Sequence, residues 1–149
     1  MSLLRKEVYG MLLDDLFYEK AVSEFESNFS DIFSDEIIAV NKDCDYTKNG
    51  YFKLSYKYIP LNYNILVENE RRTFTITIED NENAKNSLYR IRKFDNVLDK
   101  DNIRNAIHIL KEILEKNEFN FYLYIDKKLY RKSNKGLERV KDLRELLNG

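Results

Sequence analysis

The sequence has few of the residues that cross-link or interrupt small folds. It contains one cysteine, one proline, four glycines and no tryptophan. A single cysteine excludes an intrachain disulfide framework and a zinc site built from four thiolates. No apolar run reaches the roughly 18 residues of a membrane span, and the first residues lack the apolar stretch of a signal peptide. These absences predict a cytoplasmic protein without a membrane-spanning segment.

An excess of charge of one sign is also absent. The chain has 25 Lys and Arg against 26 Asp and Glu, a net charge of −1. This balance excludes a uniformly basic nucleic-acid coat and a uniformly acidic DNA mimic. The charges are nevertheless segregated, because residues 1–46 sum to −7 and residues 85–149 sum to +6. Either the two blocks attract each other within the fold, or one of them faces a partner of opposite sign.

Apolar and aromatic residues are plentiful. Of 149 residues, 43% are hydrophobic and 13% aromatic, which predicts one packed domain over residues 1–149. Asn, Lys, Ile and Tyr, whose codons are AT-rich, are abundant, whereas Ala and Gly are scarce. This composition indicates an AT-rich source genome, such as that of a phage, a plasmid or a low-GC bacterium.

Residues 1–34 have the periodicity of an acidic helical segment. A heptad-like seam with one break, at Asp15, runs from Leu4 to Ile32. Asp14 and Asp15 could cap a second helix, and Ser23 with Glu26 matches a capping box. The segment is either one long helix or two helices divided near Asp14 and Asp15. Because a helix of this length is unusual in a small domain, we favour two packed helices or one kinked helix.

Alternating residues over 36–95 predict an antiparallel meander of about five strands. Asn49-Gly50 is a strong hairpin signal, and apolar and polar residues alternate over 51–58 and 73–78. A fifth strand is expected at 88–94. The short links cannot hold crossover helices, so the pairing should be antiparallel.

The last third is predicted to contain a helix over 99–117, a β-hairpin over 119–132 and a short helix over 136–147. Asp99 suits the N-terminus of the first helix, and Asn117 suits a left-handed C-terminal cap. The whole order predicts an α+β fold with the helices packed on one face of the sheet.

Metal-binding and catalytic patterns are incomplete. Asp45, Thr47, Asn49 and Gly50 resemble the start of a calcium loop, but the position of the bidentate glutamate is Tyr56. Cys44 lies between two aspartates that oppose thiolate formation, and His108 lies opposite the apolar face of its predicted helix. We therefore predict no metal, no cofactor and no catalytic residue, with an unrecognised enzyme as the third hypothesis.

The first functional hypothesis is a non-enzymatic protein-binding module that occludes or adapts a macromolecular partner. Its form in a phage or mobile element would be an inhibitor of a host nuclease or defence system. A homodimer through the apolar seam is a further expectation. The predicted partner surface consists of six acids in the first helical segment: Glu7, Asp14, Asp15, Glu19, Glu24 and Glu26.

The alternative hypothesis is a nucleic-acid-binding protein. Basic residues interleaved with tyrosines can hold phosphates and stack on exposed bases. The sequence has such a group in and before the C-terminal hairpin: Arg90, Arg92, Tyr122, Tyr124, Lys127, Lys128, Tyr130, Arg131 and Lys132.

Overall fold

The computed structural model describes the backbone of residues 3–148 and the side chains of residues 13–144 and 146. A long helix is followed by a meander, a second long helix and a three-stranded C-terminal extension. The elements are α1 (Leu3–Phe33), a 3-10 helix (Ser34–Glu36), β1 (Ile37–Asp45), β2 (Tyr51–Tyr58), β3 (Tyr63–Glu70), β4 (Thr73–Glu79), β5 (Lys85–Ser87), α2 (Leu88–Ile91), α3 (Lys100–Lys116), β6 (Phe121–Ile125), β7 (Lys128–Ser133), β8 (Gly136–Arg139) and a second 3-10 helix (Leu143–Asn148).

The strands form one antiparallel sheet in which spatial order follows chain order from β1 to β8. The predicted α+β class is therefore confirmed. The alternation in β2 is also confirmed, because Phe52, Leu54, Tyr56 and Tyr58 are buried and the residues between them are half-buried. The sheet thus has one face in the core and one polar face. We call the polar side, which carries no long helix, the open face.

Helix α1 covers the core face of the sheet with a stripe of aromatic side chains. Phe25 packs edge-to-face on Phe74 of β4, with 5.1 Å between ring centroids, and Phe29 stacks on Tyr56 of β2 at 4.2 Å. Spacings of three and four residues place such side chains on one helix face. The stripe therefore fixes the helix across the central strands.

Helix α3 lies beside α1 and buries the face that its periodicity predicts. Its residues Ile103, Ile107 and Leu110 are buried in the same core. The Asp99 carboxylate caps its N-terminus by accepting from the Asp101 and Asn102 amides, and Asn117 ends it with φ 49°. Both predicted caps are confirmed.

The expected division of the first helical segment is wrong. Residues Leu3–Phe33 form one helix, without a break at Asp14, Asp15 or Ser23. The reason lies in tertiary contacts. The buried stripe continues from Tyr18 to Phe33 on one sheet, so a break at Ser23 would remove half of it from the core. The Asp14 carboxylate pairs with Arg72 rather than capping a helix.

The predicted strand at 88–94 is also wrong. Leu88–Ile91 is a single helical turn, and the fifth strand is the preceding segment, Lys85–Ser87. Leu88 is buried, while Ile91 and Phe94 pack against the core. Their spacing of three residues is typical of a helical turn. The alternation of apolar and polar residues over 88–94 is equally typical of a strand, so the sequence pattern does not distinguish the two. The chain must also leave the sheet here to begin α3.

The predicted last helix over 136–147 is wrong in its first part. Residues Gly136–Arg139 form β8, paired with β7, and only Leu143–Asn148 is helical, as a 3-10 helix. Gly136 has φ 97°, a left-handed conformation that turns the chain back on β7. The meander has five strands, β1 to β5, and the hairpin strands β6 and β7 together with the additional strand β8 extend the same sheet to eight strands.

Gly50 should tolerate no side chain. It has φ 74°, and a Cβ atom there would lie 2.1 Å from the Tyr18 ring. We predict that Gly50→Ala lowers the free energy of unfolding by about 2–5 kcal/mol, since backbone strain and overpacking add. Urea unfolding would measure the loss.

Gly136→Ala is the matched control for this prediction. Gly136 also has a positive φ, but nothing lies within 4 Å of a Cβ atom built there. Its substitution should cost only the backbone term, about 1–2 kcal/mol. Equal losses in the two variants would show that the Tyr18 contact does not constrain Gly50.

Candidate functional site

The six predicted partner-binding acids do not form one surface. Glu26 bonds to Lys42 of β1 at 3.0 Å, and Asp14 bonds to Arg72 at 3.2 Å. Glu24 lies on the other flank of α1, in a groove shared with Leu98 and Lys100 before and at the start of α3. The Glu7 side chain lies outside the described residues. Among the described side chains, Asp15, Glu19 and Glu24 of α1 have no ion pair, and Asp15 and Glu19 are the two that lie outside this groove.

Asp14 belongs to a clamp that fixes α1 to the turn between β3 and β4. The Arg72 guanidinium bonds to the Asp14 carboxylate and lies over the Phe17 ring, 3.9 Å from its centroid. The Arg72 carbonyl also accepts from the Leu98 amide at 2.8 Å. A stacked, ion-paired arginine is strongly oriented. Arg72 is therefore structural.

A cleft of about 430 Å³ opens next to this clamp. It lies between α1, the β1–β2 turn and the β3–β4 turn. Two arginines and two aspartates give its lining both signs of charge, and two tyrosines contribute aromatic walls. The lining residues are Asp14, Asp15, Tyr18, Tyr46, Thr47, Asn49, Gly50, Arg71 and Arg72.

The floor of the cleft is held by Asn69, at the end of β3. Its Oδ1 accepts from the Phe52 amide at 2.7 Å, and its Nδ2 donates to the carbonyls of Gly50 and Arg71 at 3.0 Å each. One amide side chain thus joins the two turns that form the cleft wall. The cleft has its shape before any ligand or partner binds.

Acidic side chains of α1 lie close to Lys42 and Tyr46, on the flank of the helix that faces β1. The hydrogen bond to Glu26 raises the pKa of Lys42 above its usual value, and Glu19 adds to the effect. Burial raises the pKa of Tyr46, which is further raised by the nearby Cys44, Glu19 and Glu26. Glu19 and Glu26 contribute to both shifts, so both acids lie close to these groups.

Apolar side chains are exposed on α1 near Asp15 and Glu19. The exposed fraction is 52% for Leu13 and 58% for Leu16. Leu16 lies three residues from both Leu13 and Glu19, and Asp15 lies four residues before Glu19, so each of these pairs is adjacent on the helix surface. We call Leu13, Asp15, Leu16 and Glu19 the α1 patch.

The predicted basic group is divided by the sheet. Cross-strand register places Tyr122 opposite Lys85 and Arg131, and Tyr124 opposite Leu129. These residues share the open face. The other face receives Tyr130, paired with Leu123, and Lys132, paired with Phe121, while Lys128 pairs with Ile125 on that same side. Lys127 is in the hairpin turn with φ 66°.

Several of these cations already have acidic partners. Arg92 bonds to Glu112 of α3 at 2.6 Å, and Arg131 lies 3.7 Å from Glu138. Lys132 bonds to Asp80 at 2.7 Å and lies 3.3 Å from Glu82. Arg90 lies over the Tyr122 ring at 5.9 Å. The nine residues therefore do not make one continuous basic surface.

The residues considered for metal binding or catalysis are dispersed. Cys44 is half-buried on β1 and His108 is exposed on α3. Thr47 donates to the Asp45 carboxylate from both its amide and its hydroxyl, which closes the β1–β2 turn. Among the described residues, no group of three His, Cys, Asp or Glu could hold a metal ion.

Sequence reasoning missed three structural residues of this region: Asn69, Arg72 and Asp80. The signal available was the Asn69–Arg72 turn itself, where two arginines follow Asn69 and Glu70. Nothing in that pattern indicates which side chains face α1, because the contacts span more than fifty residues for Arg72 and Asp14.

Comparison with protein-family models, curated proteins and solved structures finds no match to this chain. No helix among the described residues is long and apolar enough to cross a membrane.

Replacing Asn69 should destabilise the fold, because its side chain joins the two turns of the cleft wall. We predict that Asn69→Ala lowers the free energy of unfolding by about 1–3 kcal/mol, because the Phe52 amide loses its acceptor inside the fold. Asn64→Ala, in the same strand on the open face, should cost less than about 0.5 kcal/mol. Urea unfolding of both variants provides the comparison. Similar small losses would mean that Asn69 does not join the turns.

Asp80 and Lys132 should make stability depend on acidic pH. Burial alone would raise the pKa of Asp80, but bonds from Lys132 and from the Glu82 and Ala84 amides outweigh it and lower the pKa. A lowered pKa in the fold contributes stability above the usual value of about 3.9, and this contribution is lost as pH falls through the folded pKa.

The test compares unfolding of the parent and Asp80→Asn between about pH 7 and about pH 3. The variant should be less stable at neutral pH, and the difference should shrink as the solution becomes acidic. Lys132→Ala should reduce the same pH dependence, because it removes the cation that lowers the Asp80 pKa. A difference that stays constant with pH would contradict the assignment.

Proposed function

We propose that the protein is a non-enzymatic protein-binding module that occludes or adapts a macromolecular partner through the α1 patch. The observation that carries this proposal is the pair of exposed leucines beside unpaired acids. Leu13 and Leu16 expose more than half of their surface, and Asp15 and Glu19 have no ion pair among the described side chains.

The composition of the α1 patch suits a protein interface. Apolar side chains at the centre of an interface supply most of its affinity, and charges beside them guide association and select the partner. Exposed leucines on a helix next to acids are therefore complementary to a basic, partly apolar surface on another protein. The rigid cleft beside Asp15 adds walls against which a partner side chain can pack.

The acids of α1 differ in whether a cation of the same chain pairs with them. Asp14 and Glu26 are bonded to Arg72 and Lys42, exposed pairs that contribute at most about 1 kcal/mol each to the contact between α1 and the sheet. Asp15 and Glu19 make no such contribution. Replacing them should leave the fold intact, which allows their role in binding to be measured separately.

A specific form of this function is inhibition of a host nuclease or defence system by a protein of a phage or mobile element, acting in the cytoplasm. The support for this form is compositional: a small chain of 149 residues rich in amino acids with AT-rich codons. A partner surface that normally holds nucleic acid would be basic, as the α1 patch requires.

The test begins with the parent protein as bait in extracts of the organism that encodes it, followed by purification of the stoichiometric partner. Asp15→Lys/Glu19→Lys should then slow association at least about tenfold and reduce its salt dependence. Melting temperature should be unchanged. Association rates at several salt concentrations, measured by surface plasmon resonance, give both quantities.

The matched control is Asp35→Lys/Glu118→Lys, which reverses two exposed acids at the opposite end of α1 and after α3. It makes the same change in net charge and should leave association at the parent rate. Equal slowing by both variants would reduce the effect to net charge. Parent-rate binding by Asp15→Lys/Glu19→Lys would exclude the α1 patch, and light scattering would show whether a second copy is the partner.

A further inference from the structure

The sheet brings together a cation–aromatic group that the sequence left mixed with unrelated lysines. Lys85 of β5 and Arg131 of β7 lie on either side of Tyr122 of β6 in the cross-strand register. Arg90 of α2 reaches over the Tyr122 ring. Tyr124 follows two residues later on the same face. We call Lys85, Arg90, Tyr122, Tyr124 and Arg131 the open-face cluster.

We propose that the open-face cluster is a binding site for single-stranded nucleic acid, separate from the α1 patch. Three cations from three different elements converge on one strand. Single-stranded nucleic acid is bound by such combinations of cations, which follow the phosphates, and aromatic rings, on which bases stack.

Tyr124 is the expected stacking residue. Its exposed fraction is 74%, the largest among the exposed tyrosines of the described part of the chain. Tyr124 lies two residues after Tyr122 on the same face of β6, beside the ring that Arg90 contacts. Its exposed ring offers a flat aromatic surface on which a base can stack.

Tyr122 is the buried ring beneath the cations of the open-face cluster. Its side chain is buried, and its hydroxyl has no hydrogen-bond partner among the described residues. A buried hydroxyl in this state is costly, yet the ring is the support on which the Arg90 guanidinium lies.

Acidic side chains lie near two of the three cations of the open-face cluster. Lys85 lies 3.5 Å from Glu79, and Arg131 lies 3.7 Å from Glu138. Both distances exceed that of a direct hydrogen bond. Arg90, in contrast, has no ion pair among the described side chains and makes only the ring contact. Arg90 is therefore the cation of the cluster that is most available to a phosphate.

The probe is a fluorescently labelled single-stranded oligothymidylate of about 20 nucleotides, longer than the site of a typical single-strand-binding domain. Anisotropy titrations of the full chain at several salt concentrations give affinity and its salt dependence. Arg90→Ala/Tyr124→Ala should weaken binding at least about tenfold, the effect of losing one stacked base. The salt slope should fall by about 0.7 for the lost phosphate contact.

The control is Lys127→Ala/Lys128→Ala in the turn and on the other face of the same hairpin. It removes two charges where the test variant removes one, yet it should change affinity less than about threefold. A larger loss in the control, or no binding by the parent at low salt, would overturn the proposal.

A polyanion without bases separates stacking from charge. Tyr124→Ala alone should weaken oligothymidylate binding and leave inorganic polyphosphate binding unchanged. If Tyr124→Ala binds oligothymidylate as the parent does, the cluster is an anion site and not a nucleic-acid site. Melting temperatures within a few degrees of the parent establish that each variant is folded.

Discussion

The contact between the aromatic stripe of α1 and the core face of the sheet is the constraint on which the rest of the structure depends. Phe25 meets Phe74, Phe29 meets Tyr56, and the stripe ends where Phe33 packs on Tyr58. Large aromatic side chains bury more apolar area than any others. Once this stripe is buried, the direction of α1, the side on which α3 packs and the identity of the open face are all determined.

Both proposed binding surfaces follow from this arrangement. Among the described side chains of α1, from Leu13 onward, burial begins at Tyr18, so the exposed leucines Leu13 and Leu16 precede this core contact. Because both long helices occupy one face of the sheet, the alternate residues of every strand form an open polar face. The α1 patch and the open-face cluster are therefore on different sides of the molecule and can be tested independently.

Local chemistry was readable in the sequence wherever one residue type decides the conformation. Asn117 adopts the left-handed cap, Asp99 caps α3, and Asn49-Gly50 turns β1 into β2. The same kind of reasoning was wrong for 88–94 and 136–139. In both segments the apolar spacing fits a helix and a strand alike: Leu88 is buried in the core from a helical turn, whereas Gly136–Arg139 pairs with the preceding strand β7.

The sequence by itself determined the class of fold, the alternation of the central strands and the helix caps, since each depends on residues within a few positions of one another. Only the tertiary structure decided which charges are paired and which are free to bind. Asp14 meets Arg72, and Lys132 meets Asp80, across more than fifty residues. Electrostatic roles depend on distances in space, and the packing of α1 and the register of the sheet set those distances.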